Sequence, residues 1–290
     1  MLPSVCSTLP LHATALACLS VSGKDAQTFL QGQLSCDLRP LAWQGDRGGC
    51  TPGYRLNLKG RVVASLYVLG VPEGFLLLLP ATQVEALLAD LKKYVLFSKA
   101  QLQATTHQVL AVAGTHEGLP APAQVLAKEA AWLAQLSGVD ACLVILPASE
   151  GIAVTASSAW AQAELAAGLA AIEPATAGLW LPQELGADAT GAVSYNKGCY
   201  LGQEIVARLH FKGEAKQHLY RLTLTGATAQ PEAGALLQDA DGKPAGQLVQ
   251  SAPNEQGLSC LAVLRAPVAG SVQLGGVSWQ VADCAPTVAP

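Results

Sequence analysis

From residue 219 to residue 282 the chain carries no helical periodicity, and this limits its architecture more than any other feature. Leu219-Tyr220-Arg221-Leu222-Thr223-Leu224 alternates polar with apolar, and short apolar runs follow between Asp241-Gly242, Gly257 and Gly275-Gly276. Alternation of this kind marks strands with one buried face, and the glycines mark their turns. A small all-β module is therefore expected within residues 212–290, with residues 285–290 as a frayed tail.

Residues 1–211 mix strands and helices, so the expected class is α+β. Strands are expected at residues 17–21, 61–69, 74–79, 109–113 and 142–146, with a hairpin turn at Gly70-Val71-Pro72-Glu73. A helix follows Gly23-Lys24-Asp25, and residues 82–93 place Val84, Leu87, Leu88 and Leu91 at helical spacing. The alanine-rich stretches 122–136 and 157–171 read as further helices.

The chain has 290 residues, is 51% apolar and 13% charged, and has a net charge of −4. That is enough apolar side chain for a large core. An acidic, sparsely charged surface is a poor match for nucleic-acid backbones, which are held by neutralising phosphates. The longest apolar runs, such as residues 75–79 before Pro80, are far short of the ~20 residues of a membrane span. The first residues lack the charged start of a secretory signal, so a cytoplasmic location is expected. The eight cysteines show no CxxC or zinc-finger spacing, which points to free thiols.

The stretch Lys197-Gly198-Cys199-Tyr200-Leu201-Gly202-Gln203-Glu204 concentrates a cation, a thiol, a phenol, an amide and a carboxylate. A strand is expected before it at residues 191–195. A helix is expected after it, with Ile205 and Leu209 on one face. Cys199 would then sit just before a helix N-terminus, where the helix dipole and Lys197 both favour thiolate. It reads as a reactive or ligating thiolate, or else as a buried loop thiol. Lys197 reads as a cation that lowers the thiol pKa or binds a carboxylate, or else as a solvated charge, and Tyr200 as a packed aromatic. Gly198 and Gly202 read as positions of special backbone geometry. Gln203 and Glu204 suit a first helical turn. Arg208, His210, Lys212, Lys216, His218 and Arg221 form the most basic stretch, either a solvated linker or a docking strip for an anion.

The octet resembles the signature of the YgfZ-like family, folate-binding proteins of iron–sulfur cluster maintenance and tRNA modification. That family is related to the aminomethyltransferase (T-protein) of the glycine cleavage system. Val21-Ser22-Gly23-Lys24-Asp25-Ala26, Phe29-Leu30-Gln31-Gly32-Gln33, Leu58-Lys59-Gly60-Arg61, the block over residues 91–99 and Leu181-Pro182-Gln183 extend the resemblance over most of residues 20–212. It implies an aminomethyltransferase-like folate-binding region over residues 1–211, made of two intertwined subdomains, followed by a C-terminal β-barrel over residues 212–290. It implies tetrahydrofolate or a derivative as cofactor, and iron–sulfur client or assembly proteins as partners. Trp160 takes the family's folate-contacting position, the alternative being core packing. Gln183, Tyr200 and Arg208 join it as expected contacts, with Arg208 placed for a glutamyl tail.

Three positions depart from the relatives. Ala166 stands where aminomethyltransferases carry the Glu that pairs with the pterin. Residues 57–65 contain no acid where those enzymes carry a catalytic Asp. Leu16 falls where some members place a second Trp. The resulting expectation is a folate binder without aminomethyltransferase turnover, in which ligand occupancy orders the 196–204 loop and sets the exposure of Cys199. Two alternatives stand beside it: a one-carbon transferase using Asp25 or Asp37, and a protein-interaction module that has lost folate.

Overall fold

A computed structural model of the chain describes residues 3–148, 152–227, 229–265 and 270–284. The tail expected at 285–290 lies outside the described residues, as does the side chain of Cys284.

The first strands are β1 (His12–Ala13), β2 (Leu16–Ser22), β3 (Arg47–Leu56), β4 (Val62–Val71) and β5 (Gly74–Pro80). They are followed by β6 (Gln101–Ala104), β7 (His107–Ala113), β8 (Gln124–Lys128), β9 (Ala131–Gln135) and β10 (Ala141–Pro147). These form one 10-stranded sheet in the order β1-β7-β10-β9-β8-β3-β4-β5-β2-β6. Helices α1 (Ala26–Gln33), α2 (Val84–Lys92), α3 (Ala159–Ala166), α4 (Ala187–Thr190) and α5 (Gln203–Lys212) accompany it. The expected α+β class is what the chain adopts. Among the described residues no helix is long and apolar enough to cross a membrane.

After α5 come β11 (Gln217–Thr225), β12 (Leu236–Gln238), β13 (Pro244–Asn254), β14 (Gly257–Arg265), β15 (Ser271–Leu274) and β16 (Val277–Cys284). They close into a barrel in the order β11-β14-β13-β12-β15-β16. Its interior holds Leu222, Leu248, Leu258, Cys260, Leu264 and Trp279. Its outer face supplies Leu219, Val249, Leu261 and Val263 to a core shared with Leu165, Ile172, Trp180 and Val206. Burying each such side chain contributes about 1.5–3 kcal/mol, so the barrel is seated by ordinary core packing.

Strand β3 joins the two halves of the sheet. Residues 47–49 pair with β8 and residues 50–56 pair with β4. Nothing in Arg47-Gly48-Gly49-Cys50-Thr51-Pro52-Gly53 advertises a strand, because glycine and proline are depleted in strands. Close packing accounts for them: a Cβ at Gly53 would lie 2.5 Å from the Cys36 sulfur.

Three expectations need correction. Residues 122–136 form the β8–β9 hairpin, not a helix. Each strand of the hairpin has a neighbour in the sheet, β3 on one side and β10 on the other, and tertiary pairing overrides the weak helical preference of alanine. The helix expected over 157–171 is shorter, Ala159–Ala166, with Gly168 left-handed just beyond it. Residues 191–195 are not a strand. The segment follows Ser35 irregularly, with Ser194 N donating to Ser35 O at 2.9 Å and Ser35 Oγ to Ala192 O at 2.6 Å.

Gly53→Ala should lower the unfolding free energy by about 1–3 kcal/mol through overpacking against Cys36. A urea midpoint equal to wild type would show that the Cys36 side chain gives way instead.

Candidate functional site

The octet is fastened from below. Lys197 is buried, and its Nζ donates to the carbonyls of Leu34 and Cys36, each at 2.7 Å. Its ammonium also lies over the Tyr200 ring, 5.1 Å from the centroid. Arg39 reaches the same loop, donating to Asn196 O at 3.0 Å while paired with Asp37. Further along, Gly202 caps α5 at φ +80°. A Cβ there would lie 2.5 Å from Asn57 O and 3.1 Å from the Cα of Gly60. Gly60 is itself left-handed and pressed against Ile205. Only glycine fits both contacts, so the octet and the turn between β3 and β4 are locked together. Gly198 has open space around its Cα and no such constraint. Gln203 closes the first turn of α5, its Oε1 accepting from Tyr200 N at 3.3 Å, while Glu204 is exposed there. The inward residue of α5 is Val206. Ile205 is 38% exposed and Leu209 only half-buried, so the expected Ile205–Leu209 face is not the core face.

Cys199 is exposed, whereas Cys6, Cys18, Cys36, Cys50, Cys142 and Cys260 are buried. Burial pushes the thiols of Cys36, Cys50, Cys142 and Cys260 up to about 12 and that of Cys18 to about 11. These buried thiols hold their protons at neutral pH. Lys197 is not the solvated charge read as one alternative from the sequence. Its hydrogen bonds go to the 34–36 segment, and burial lowers its ammonium to about 8, with Cys36 and Asp37 pulling back upward.

Trp160 lies elsewhere. It lines a cavity of about 390 Å³ where the sheet, α3 and the barrel meet, together with Thr14, Leu16, Pro80, Glu164 and Gln250. Its indole packs edge-on to Tyr67, with centroids 5.7 Å apart. Glu164 is the only charged residue of α3 and is buried. The Tyr67 hydroxyl donates to its Oε1, and Gln250 Nε2 approaches Oε2 at 3.4 Å. Burial raises this carboxyl to about 7. The Tyr67 hydrogen bond, the nearby Trp160 indole and Gln250 limit the rise. The cavity thus joins an aromatic wall, apolar sides and one carboxyl that titrates near neutrality. Its size and make-up are within the range of small-molecule pockets.

The remaining expected site residues are dispersed. Gln183 donates to Tyr195 OH at 3.1 Å and to Val206 O at 2.8 Å, bolting its segment to α5. Tyr200 is buried, and its hydroxyl has no partner among the described residues. Arg208 is exposed on α5. The basic stretch does not form one strip. His210 stacks on Tyr195 at 3.6 Å, and Arg221 donates to Ala166 O at 2.9 Å. The octet contributes Leu201 to a different cavity from the one that Trp160 lines. No residue of the octet lines the cavity at Trp160. Sequence reading missed Glu164, Tyr67 and Gln250. The one signal for Glu164 was an acid isolated in an alanine-rich helix. Among the described residues, no group of three or more His, Cys, Asp or Glu is placed to hold a metal ion.

No family model matches the chain. It is 32% identical over 257 residues to the tRNA-modifying protein YgfZ of Klebsiella pneumoniae, spanning 80% of this chain and 77% of that protein. It is 31% identical over 247 residues to the tRNA-modifying protein YgfZ of Serratia proteamaculans, spanning 76% and 73% respectively. Among solved structures, the glycine cleavage system aminomethyltransferase T from Bartonella henselae superimposes with a TM-score of 0.72 at 20% identity. The match covers 95% of this chain and 84% of that one. The expected aminomethyltransferase-like fold is thereby shown.

Glu164 gives stability a defined pH dependence. Unfolded, its carboxyl titrates near 4.5, and folded near 7. Between these values the folded state keeps a proton that the unfolded state has lost, so its contribution falls as pH rises through that window. Glu164→Gln should remove this slope. The difference in unfolding free energy, variant minus wild type, should grow from about pH 5 to about pH 8. A difference independent of pH would show that Glu164 does not titrate in the folded protein.

Proposed function

The chain belongs to the YgfZ family of tRNA-modifying proteins, and on that premise we propose that it binds tetrahydrofolate or a close derivative and supports iron–sulfur enzymes, tRNA-modifying ones among them. One observation carries the folate reading. Leu16 and Trp160, the two positions at which the family resemblance places aromatic folate contacts, are far apart in sequence and line one cavity beside a buried carboxyl. The residues fit a pterin. Trp160 offers an aromatic wall, and Glu164 in either protonation state can pair with the polar edge of the ring. Glu164 is one half-turn of helix before Ala166, where the related transferases carry their acid, so α3 still supplies a carboxyl. A cavity of about 390 Å³ suits the ring system, leaving the glutamyl tail outside.

Bound folate supplies a one-carbon carrier, and this chain's own residues bind and orient it. A transferase reading is less well supported. Arg39 hydrogen-bonds Asp37 and holds its carboxyl well below the usual range, which makes it a poor proton acceptor. Asp25 accepts from Lys99 N at 2.8 Å in a structural turn. At the position of the transferase acid, Ala64 is buried and Ser65 accepts from Ile172 N. Cys199 is the one cysteine of the seven described that is exposed, which supports a role in contacting client proteins or their sulfur chemistry. The Lys197 clamp holds the loop that displays it.

Tetrahydrofolate titration should quench tryptophan fluorescence saturably. Trp160→Ala should weaken binding more than about tenfold, and an unchanged affinity would remove this cavity from the reading. In cells lacking the protein, Cys199→Ala should fail to restore iron–sulfur enzyme activity while binding folate as wild type does. Full restoration would make the thiol dispensable.

A further inference from the structure

Three stretches prominent in the sequence meet at a cavity separate from the one at Trp160. Its volume is about 510 Å³, and it takes Leu58 and Lys59 from the turn after β3, Tyr94 from the end of α2, and Leu201 from the octet. Leu56, Val63 and Leu87 make its walls apolar. Arg55 is the exception. Its side chain is fully buried. Nε donates to Asp90 at 2.7 Å, and Nη1 donates to the carbonyl and side-chain oxygens of Gln33 at 3.1 and 2.9 Å. Nη2 is buried and has no partner among the described residues.

A buried guanidinium donor without an acceptor is uncommon, because such groups are nearly always paired. The surroundings indicate what would pair with it. Two cations, Arg55 and Lys59, face the cavity against one acid, Asp90, which is also shared with Lys93 at 3.2 Å. One negative charge balances the lining, and a second would lie unpaired against apolar walls. Leu58 is 79% exposed at the rim, offering apolar surface to a ligand body. The Tyr94 ring covers the guanidinium, 4.9 Å from its centroid, and is 43% exposed.

We propose that this cavity binds a small amphipathic monocarboxylate, its head group paired with Nη2 of Arg55 and with Lys59, and its apolar body lying along Leu56, Leu87 and Leu58. A carboxylate fits better than a phosphate because one free guanidinium donor and one rim ammonium match one negative charge on two oxygens. The site adjoins the octet through Leu201, so a bound acid would lie beside the loop that carries Cys199. It is separate from the cavity at Trp160, and the two readings fail independently.

Octanoate is the probe, with 1-octanol as its neutral counterpart, titrated into the full chain by calorimetry. Octanoate should bind saturably at a single site, and octanol at least about tenfold more weakly. In protein labelled with [15N]arginine, the Arg55 side-chain resonance should shift with octanoate and not with octanol. Ala86→Trp fills the cavity from an exposed position on α2 and should abolish binding. Lys59→Glu should weaken it at least about tenfold. Both variants should bind tetrahydrofolate as wild type does. Absent octanoate binding, equal affinity for octanol, an unmoved Arg55 resonance, or full binding by Ala86→Trp would each overturn the proposal.

Discussion

The buried ammonium of Lys197, bonded to the carbonyls of Leu34 and Cys36, is the interaction on which the site depends. A lysine is seldom buried, because removing its charge from water is unfavourable unless hydrogen bonds replace the lost hydration. Here two carbonyl oxygens and an aromatic face stand in for that water. The loop is therefore positioned by a cation beneath it, not by contacts at its tip, and Cys199 can be exposed without being loose. The glycine contact between Gly202 and Gly60 fixes the other end of the octet. Between these anchors the thiol is displayed on a short, rigid span.

The second organising feature is the junction of sheet, α3 and barrel. It combines a buried acid and an indole, both from α3, with a glutamine from β13. Gln250 is central because it faces two ways. Its amide reaches Glu164, and its oxygen accepts from the backbone of Ala171. The barrel thus completes the hydrogen bonding of a carboxyl that belongs to the α+β region. A buried acid near neutrality is costly to leave unpaired, which ties the barrel's seating to the chemistry of the cavity.

Much of the fold was legible because it rests on periodicity. The β4–β5 hairpin, α2 and the helix-free C-terminal segment follow from alternation or helical spacing. Strand β3 was not legible, because its glycines are selected by close neighbours, the Cys36 sulfur at Gly53 and backbone carbonyls at Gly48 and Gly49, and not by strand propensity. The β8–β9 hairpin was not legible because alanine has little to say about which partner it will meet. The same division holds at the site. The octet stood out by composition, and the helix after it by spacing. The role of Lys197 could not be read, since it depends on carbonyls more than 150 residues away in sequence. Glu164 and Arg55 share a weaker signal, each a lone charge within an apolar or alanine-rich run. Such a residue is either an error in the assumed burial or a sign that something polar waits inside.

The Lys197 clamp also has a consequence in time. Its acceptors lie on the segment just after α1 and are synthesised early, whereas the ammonium arrives only after the whole sheet has been made. Until then the carbonyls of Leu34 and Cys36 and the tight turn at Gly60 have no cover. The octet acts as a late fastener, and Cys199 takes its displayed position only on a chain whose sheet is already built. A nascent or truncated chain carries an N-terminal half without its closure, while the exposed thiol is absent altogether. Order of synthesis thereby keeps an exposed thiol from preceding the framework that holds it.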